Sequence, residues 1–183
     1  MKLIVGITGA SGAIYAKRLL ERVVNFDVEV AAVFSENAEI VWKQELGEAV
    51  SLPDSIVQYN NKDFFAPFAS GSSGYDAMVI CPCSMGTLGR IATGVSDALI
   101  TRAADVMLKE NRALILVPRE MPYNLIHVDN MKRLILAGAT IIPASPSFYS
   151  CPDSIEALVD TVIDKIFLQL GFDFNRFKWG NGT

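Results

Sequence analysis

The segment KLIVGITGASGAIYAKRLL, residues 2–20, is an apolar run that breaks into glycines at 6, 9 and 12 and then resumes at helical spacing. Residues 2–7 are β-rich, and within 11–25 the residues Ile14, Leu19, Leu20 and Val23 recur at the interval of one helix face. A strand, a glycine turn and a helix in that order aim backbone N–H groups and a helix N-terminus at an anion. Ser11, held among the glycines, stands where it can cap the helix, donate to a phosphate oxygen, or do both. A tight turn with a capping serine and no ligand is the plainer alternative.

Outward from that turn, strands and helices alternate. Residues 27–34 (DVEVAAVF) read as a strand and 36–46 as a helix; 77–81 read as a strand, 95–110 as a helix and 113–117 as a strand. A helix over 124–137, a short strand over 140–142 and an amphipathic helix over 153–170, bounded by Pro152 and Gly171, complete the series. The alternation predicts an α/β fold: a doubly wound parallel sheet, Rossmann-like or flavodoxin-like, in three layers, as a single domain over 1–183. Ligands then bind at the carboxyl ends of the strands. Two stretches interrupt the rhythm. Residues 47–76 carry Phe64, Phe65 and Phe68 and then ASGSSG, which suits a lid or a subunit contact as well as a surface loop. The tail, 172–183, carries Phe174, Phe177 and Trp179, and is expected to pack on a neighbouring subunit, with packing on its own domain as the alternative.

Composition narrows the classes. The chain has 183 residues, 51% hydrophobic and 20% charged, enough for one well-buried core. A net charge of −4 argues against general nucleic-acid binding, and no apolar run is long enough for a membrane span. Three cysteines, Cys81, Cys83 and Cys151, make no even disulfide framework, and with no export signal a cytoplasmic location is expected. A C-x-C pair and a single histidine, His127, are a poor ligand supply for a catalytic metal.

The second strand ends in Phe34-Ser35, with Glu36 one step later, which blurs the acid that dinucleotide-binding enzymes place there for a ribose. No Y-x-x-x-K pair is present for short-chain dehydrogenase chemistry, so dinucleotide binding is the second reading. The third predicted strand delivers VICPCSMGTLGRIATG, residues 79–94, putting Ser84, Gly86 and Thr87 at its carboxyl end beside the first glycine turn. Two such turns on neighbouring strands point to one ligand gripped at two places. N-capping by Ser84 alone is the alternative.

TGASGAIYAKRLL, ASGSSGYDAMVICPCSMGTLGRIATG, LITRAADVMLKE, LVPREMPYNLIHVDNM, GATIIP and FYSCPDSIEALVD, in that order, resemble the UbiX/Pad-type flavin prenyltransferases of the homo-oligomeric flavin-containing decarboxylase-like fold group. The resemblance covers most of the chain. It implies transfer of a dimethylallyl group from dimethylallyl phosphate to N5 and C6 of reduced FMN, and a prenylated FMN passed to a UbiD-type decarboxylase. It implies that Gly9, Ala10, Ser11, Ser35, Ser84, Met85, Gly86, Thr87 and Arg119 bind FMN, and that Tyr149 and Lys165 bind the donor. Arg102, Lys109 and Glu120 match positions shaping the phosphate pocket and proton transfers, and Glu45 aligns with a further acid. Homododecamers with sites at subunit junctions are implied as well.

The residue types suit that chemistry. The chain has no adjacent Asp-Asp pair of the kind that binds magnesium in diphosphate-using prenyltransferases, so fixed cations must meet the departing phosphate. Arg102, Lys109, Arg119 and Lys165 are the candidates, each well-placed donor supplying roughly 3 kcal/mol. Lys109 also reads as a solvated helix end, Lys165 as a partner of Asp160 or Asp164, and Glu120 as a partner of Arg119. Glu120 otherwise suits a proton shuttle, while Tyr149 or Phe64 suits a wall facing a carbocation-like fragment. The chain departs from the family pattern at Lys165, where many members have Arg, and at Phe64 and Ser150, where several have Trp and His. Two rivals remain: a flavin-dependent cysteine decarboxylase, which wants an early histidine that this chain lacks, and a flavin carrier without turnover.

Overall fold

The computed structural model describes residues 1–175. Six strands form one parallel sheet: β1 (Lys2–Ile7), β2 (Glu29–Phe34), β3 (Ile56–Asn60), β4 (Ala77–Cys83), β5 (Ala113–Pro118) and β6 (Thr140–Ile141). Their order is β3-β2-β1-β4-β5-β6, so the winding reverses between β1 and β4. A doubly wound sheet opens its ligand crevice at that switch. The helices are α1 (Ala13–Val23), α2 (Glu36–Leu46), α3 (Met85–Ala92), α4 (Leu99–Lys109), α5 (Leu125–Leu136) and α6 (Ile155–Gln169).

Strand alternation sorts the core into two layers, because successive side chains point to opposite faces. Leu3, Val5 and Ile7 join α1 and α6 through Leu19, Leu20, Ile163 and Phe167. Ile4, Met78 and Ile80 join α3 and α4 through Leu88, Leu99 and Met107. Across the first layer, Arg18 of α1 donates to Asp160 of α6 at 2.6 and 2.9 Å, and Arg22 donates to Asp164 at 2.6 Å.

Several boundaries differ from the sequence reading. The 47–76 stretch contains an edge strand, β3, of which only Ile56 is buried; without apolar alternation it leaves no periodic signal. The stretch beyond it is pinned rather than loose. Phe68 is wholly buried, and the guanidinium groups of Arg102 and Arg112 donate to the carbonyls of Ala69 and Gly71. The helix read over 95–110 begins at Leu99, where Asn61 at the end of β3 accepts from the amides of Leu99 and Ile100 at 2.7 and 3.0 Å. Ser154 rather than Pro152 starts α6. In the tail, Phe172 stacks on Phe26 at 4.3 Å and Phe174 meets Phe167 at 5.8 Å, so the tail begins on its own domain. Phe177 and Trp179 lie outside the described residues.

Candidate active site

The carboxyl ends of the strands surround a cavity of about 850 Å³ whose wall includes Gly9, Ser35, Asn37, Ser84, Thr87 and Thr101. Each hydroxyl is placed by helix capping. Ser35 Oγ accepts from Ala38 N at 3.2 Å to open α2, and Ser84 Oγ accepts from Thr87 N at 3.2 Å to open α3. The amides just inside those caps, on Glu36, Asn37, Met85 and Gly86, have no intrahelical acceptor by position. Two helix N-termini thus present their positive ends at the sheet edge. A Cβ on Gly9 would stand 2.5 Å from Asn37 Cβ, so only glycine lets the first turn come this close to α2. Below the two turns lies Thr8, 2% exposed. Its Oγ1 donates to the Pro82 carbonyl at 2.8 Å and accepts from Ser84 N at 2.8 Å, fixing the end of β1 to that of β4.

A second group gathers at the start of α1. Ser11 is not the cap there. Gly12 is, at φ 106°, and it has no side chain to accept from the helix. Glu45, in the last turn of α2, takes that role, accepting from Gly12 N at 2.8 Å and Ala13 N at 2.7 Å. Burial pushes the Glu45 carboxyl up. The Ser11 hydroxyl, the two amides and the Arg119 charge outweigh it and hold the group below its ordinary range. Arg119 Nε donates to the Ser11 carbonyl at 3.0 Å, joining the end of β5 to the first turn. The anion expected at this turn is therefore a carboxylate of the chain itself. Open amides remain at α2 and α3, since Asn61 holds those of α4.

The other predicted residues spread out. Ala10, in the first turn, and Met85, the first residue of α3, are buried, at 7% and 8% exposure. Gly86 lies in the first turn of α3. Exposed Glu120 accepts from Met121 N at 3.0 Å rather than pairing with Arg119. Arg102 pairs with Asp105 at 2.9 Å and Lys109 with Glu110, and neither lines the cavity. Phe64 is half-exposed and Tyr149 largely exposed. Lys165 lines a separate, mainly apolar cavity of about 340 Å³ with Ile142, Ser147 and Thr161. Asp160 and Asp164 are taken by Arg18 and Arg22, so among the described residues Lys165 has no ion pair. One chain thus brings Gly9, Ser35, Ser84 and Thr87 together, with Ser11, Glu45 and Arg119 as a neighbouring group, and leaves the remaining cations apart. Asn37, Thr101 and Arg90 also line the cavity and escaped the sequence reading, although each sits within about two turns of a helix start at the sheet edge. Cys81 and Cys83 are core residues; burial raises both thiols, Cys83 to about 12. Among the described residues no three His, Cys, Asp or Glu side chains gather as a metal-ligating group.

The chain's relatives share this architecture. A model of the family described as Flavoprotein matches residues 1–167. The flavin prenyltransferase UbiX of Methanocaldococcus jannaschii is 47% identical, over 98% of this chain and 99% of its own. This chain belongs to the UbiX family of flavoproteins. Among solved UbiX-family structures, a dodecameric FMN-dependent UbiX-like decarboxylase from Escherichia coli O157:H7 superposes with a TM-score of 0.92 at 39% identity, covering 97% of this chain and 99% of that one. AnUbiX (PadA1), in complex with FMN and dimethylallyl pyrophosphate, gives 0.90 at 38% identity and 97% of each chain. The cavity fits the flavin of this family on its own chemistry: a glycine-only approach between two turns, hydroxyls at two helix starts and open amides for a phosphate.

Proposed function

We propose that the chain is a flavin prenyltransferase, joining the dimethylallyl group of dimethylallyl phosphate to N5 and C6 of reduced FMN. The observation that carries this reading is the pair of serine-capped helix starts flanking the glycine turn, in a chain similar over its whole length to UbiX flavin prenyltransferases. The reduced flavin supplies the nucleophile when bound, so no serine or cysteine nucleophile is required of the protein.

The chain's residues then position groups and manage charge and protons. Ser35, Ser84 and Thr87 hold the polar end of the flavin, and Gly9, Ala10, Met85 and Gly86 shape the approach to it. Arg119 fixes the backbone of Ser11, whose hydroxyl bonds the Glu45 carboxylate. Glu45, held ionised by this environment, and Glu120, with one oxygen on Met121 N, are the carboxylates that accept and return protons. Tyr149 and Lys165 hold the donor phosphate, and among the described residues no carboxylate pairs with the Lys165 ammonium. Phe64 screens the allylic carbon from water.

Arg102 and Lys109 line neither of the two cavities described, and in this reading they act at a junction between copies. The start of α5 and the turn before it expose Met121, Leu125 and Ile126, and Leu136 is exposed at its end, an apolar surface that a neighbouring copy covers. The assembly is a homododecamer, and the prenylated flavin goes to a UbiD-type decarboxylase in the cytoplasm. Among the described residues no helix is long and apolar enough to cross a membrane.

Purified protein incubated with reduced FMN and dimethylallyl phosphate, followed by a mass spectrum of the extracted flavin, tests the reading. Gain of one C5 unit is the expected result. Unmodified flavin beside decarboxylation of a cysteinyl substrate would assign a lyase, and bound flavin with neither reaction would assign a carrier.

A further inference from the structure

The flavin cavity has one guanidinium on its wall that the residues assigned so far leave unexplained. Arg90 lies on α3, one turn beyond Gly86, and its Nη1 comes within 3.4 Å of the point where a Cβ on Gly86 would stand. The guanidinium therefore overhangs the opening turn of α3. That is the positive end of the helix dipole, where a cation is disfavoured unless an anion joins it. Asp97, in the turn before α4, faces Nε at 3.3 Å and holds that edge, with both side chains about half exposed, 51% and 55%. The other cation on the wall, Lys62, is matched by Glu36 at 2.5 Å, and Glu39 adds a further carboxylate. Arg90 is the only arginine lining the cavity among the described residues.

We infer that Arg90 binds the phosphate of the flavin mononucleotide together with the Ser35, Ser84 and Thr87 hydroxyls, and so makes the site select the mononucleotide over riboflavin; the inference rests on the flavin prenyltransferase reading above. A phosphate between the starts of α2 and α3 accepts from amides and hydroxyls and meets the Nη edge of a guanidinium whose Nε edge Asp97 already holds. The reaction's other phosphate, on the prenyl donor, is assigned to Tyr149 and Lys165, and Lys165 lines the separate cavity between β6 and α6. Arg90 and Lys165 thus divide the two phosphates between them.

Titration of the full chain with FMN and with riboflavin, followed by flavin fluorescence, tests this in wild type, Arg90→Met and Arg90→Lys. Wild type binds FMN more tightly than riboflavin. Arg90→Met weakens FMN by about ten- to a hundredfold and leaves riboflavin within about twofold, with Arg90→Lys between, because the charge remains and the fork is lost. Unchanged riboflavin affinity also shows that the variant is folded. Equal losses for both flavins would overturn the inference. So would unchanged FMN affinity with a raised KM for dimethylallyl phosphate, which would give Arg90 to the donor. Wild type binding both flavins equally would overturn the inference while leaving the flavin reading intact, whereas wild type binding neither would remove the flavin reading and this inference with it.

Discussion

Glu45 supplies at the first turn the negative charge that the sequence reading leaves to a ligand. Its oxygens accept from Gly12 and Ala13 at the start of α1, so the carboxylate is bonded in the folded chain and solvated in the unfolded one. A carboxyl whose folded pKa is depressed adds stability above its ordinary value, near 4.5, and loses it as pH falls through the folded value. Glu45→Gln should therefore flatten the acid side of a plot of Tm against pH and leave the neutral side with a smaller, constant loss. Gly9 admits an equally direct test. Gly9→Ala brings a methyl against Asn37 Cβ, and flavin affinity should fall at least tenfold by fluorescence titration, because the turn or α2 must move. The glycine turn itself was legible from spacing alone. Glu45 was not. Its partner lies 33 residues away and no local pattern links them; only the family resemblance pointed to it.

At the scale of elements, long periodic segments were legible and short or weakly apolar ones were not. The first strand and the second and fifth helices fall within a residue or so of the sequence reading because their apolar periodicity or their caps are strong. The edge strand β3 has one buried residue, and α3, begun by Ser84, is eight residues long; neither offers enough period to fix its bounds. The charges on α6 resolve by geometry that the sequence does not contain. Asp160 and Asp164 face Arg18 and Arg22 of α1, so neither pairs with Lys165. Asp160→Ala removes the partner of two partly buried guanidinium groups and should cost about 1–2 kcal/mol in urea unfolding. Lys165→Met should leave stability within about 0.5 kcal/mol and flavin affinity unchanged, while raising the KM for dimethylallyl phosphate at least tenfold.

For the whole molecule, the sheet order puts the candidate site at the β1/β4 switch; the strand–helix alternation pointed to the carboxyl ends of the strands, while the strand order itself comes from the structure. What the alternation cannot show is which cations reach the switch within one chain. Arg102 is spent on Ala69 and Asp105, and Lys109 on Glu110. The proposed assembly, in which they meet another copy's flavin, would account for both their distance and the apolar surface of α5. Ile126→Glu places a charge on that surface without touching the core, where Ile126 has no part. The variant should keep its Tm within a few degrees, run as a smaller species in sedimentation, and lose most of its turnover. In the proposed transfer a C–O bond of the donor breaks as the flavin is alkylated, and the protein's own cations take up the phosphate. Inorganic phosphate released per flavin modified, measured with reduced FMN, dimethylallyl phosphate and a chelator in one sample, tests that directly. One phosphate per modified flavin is predicted; phosphate without modified flavin, or neither until a divalent metal is restored, would contradict it.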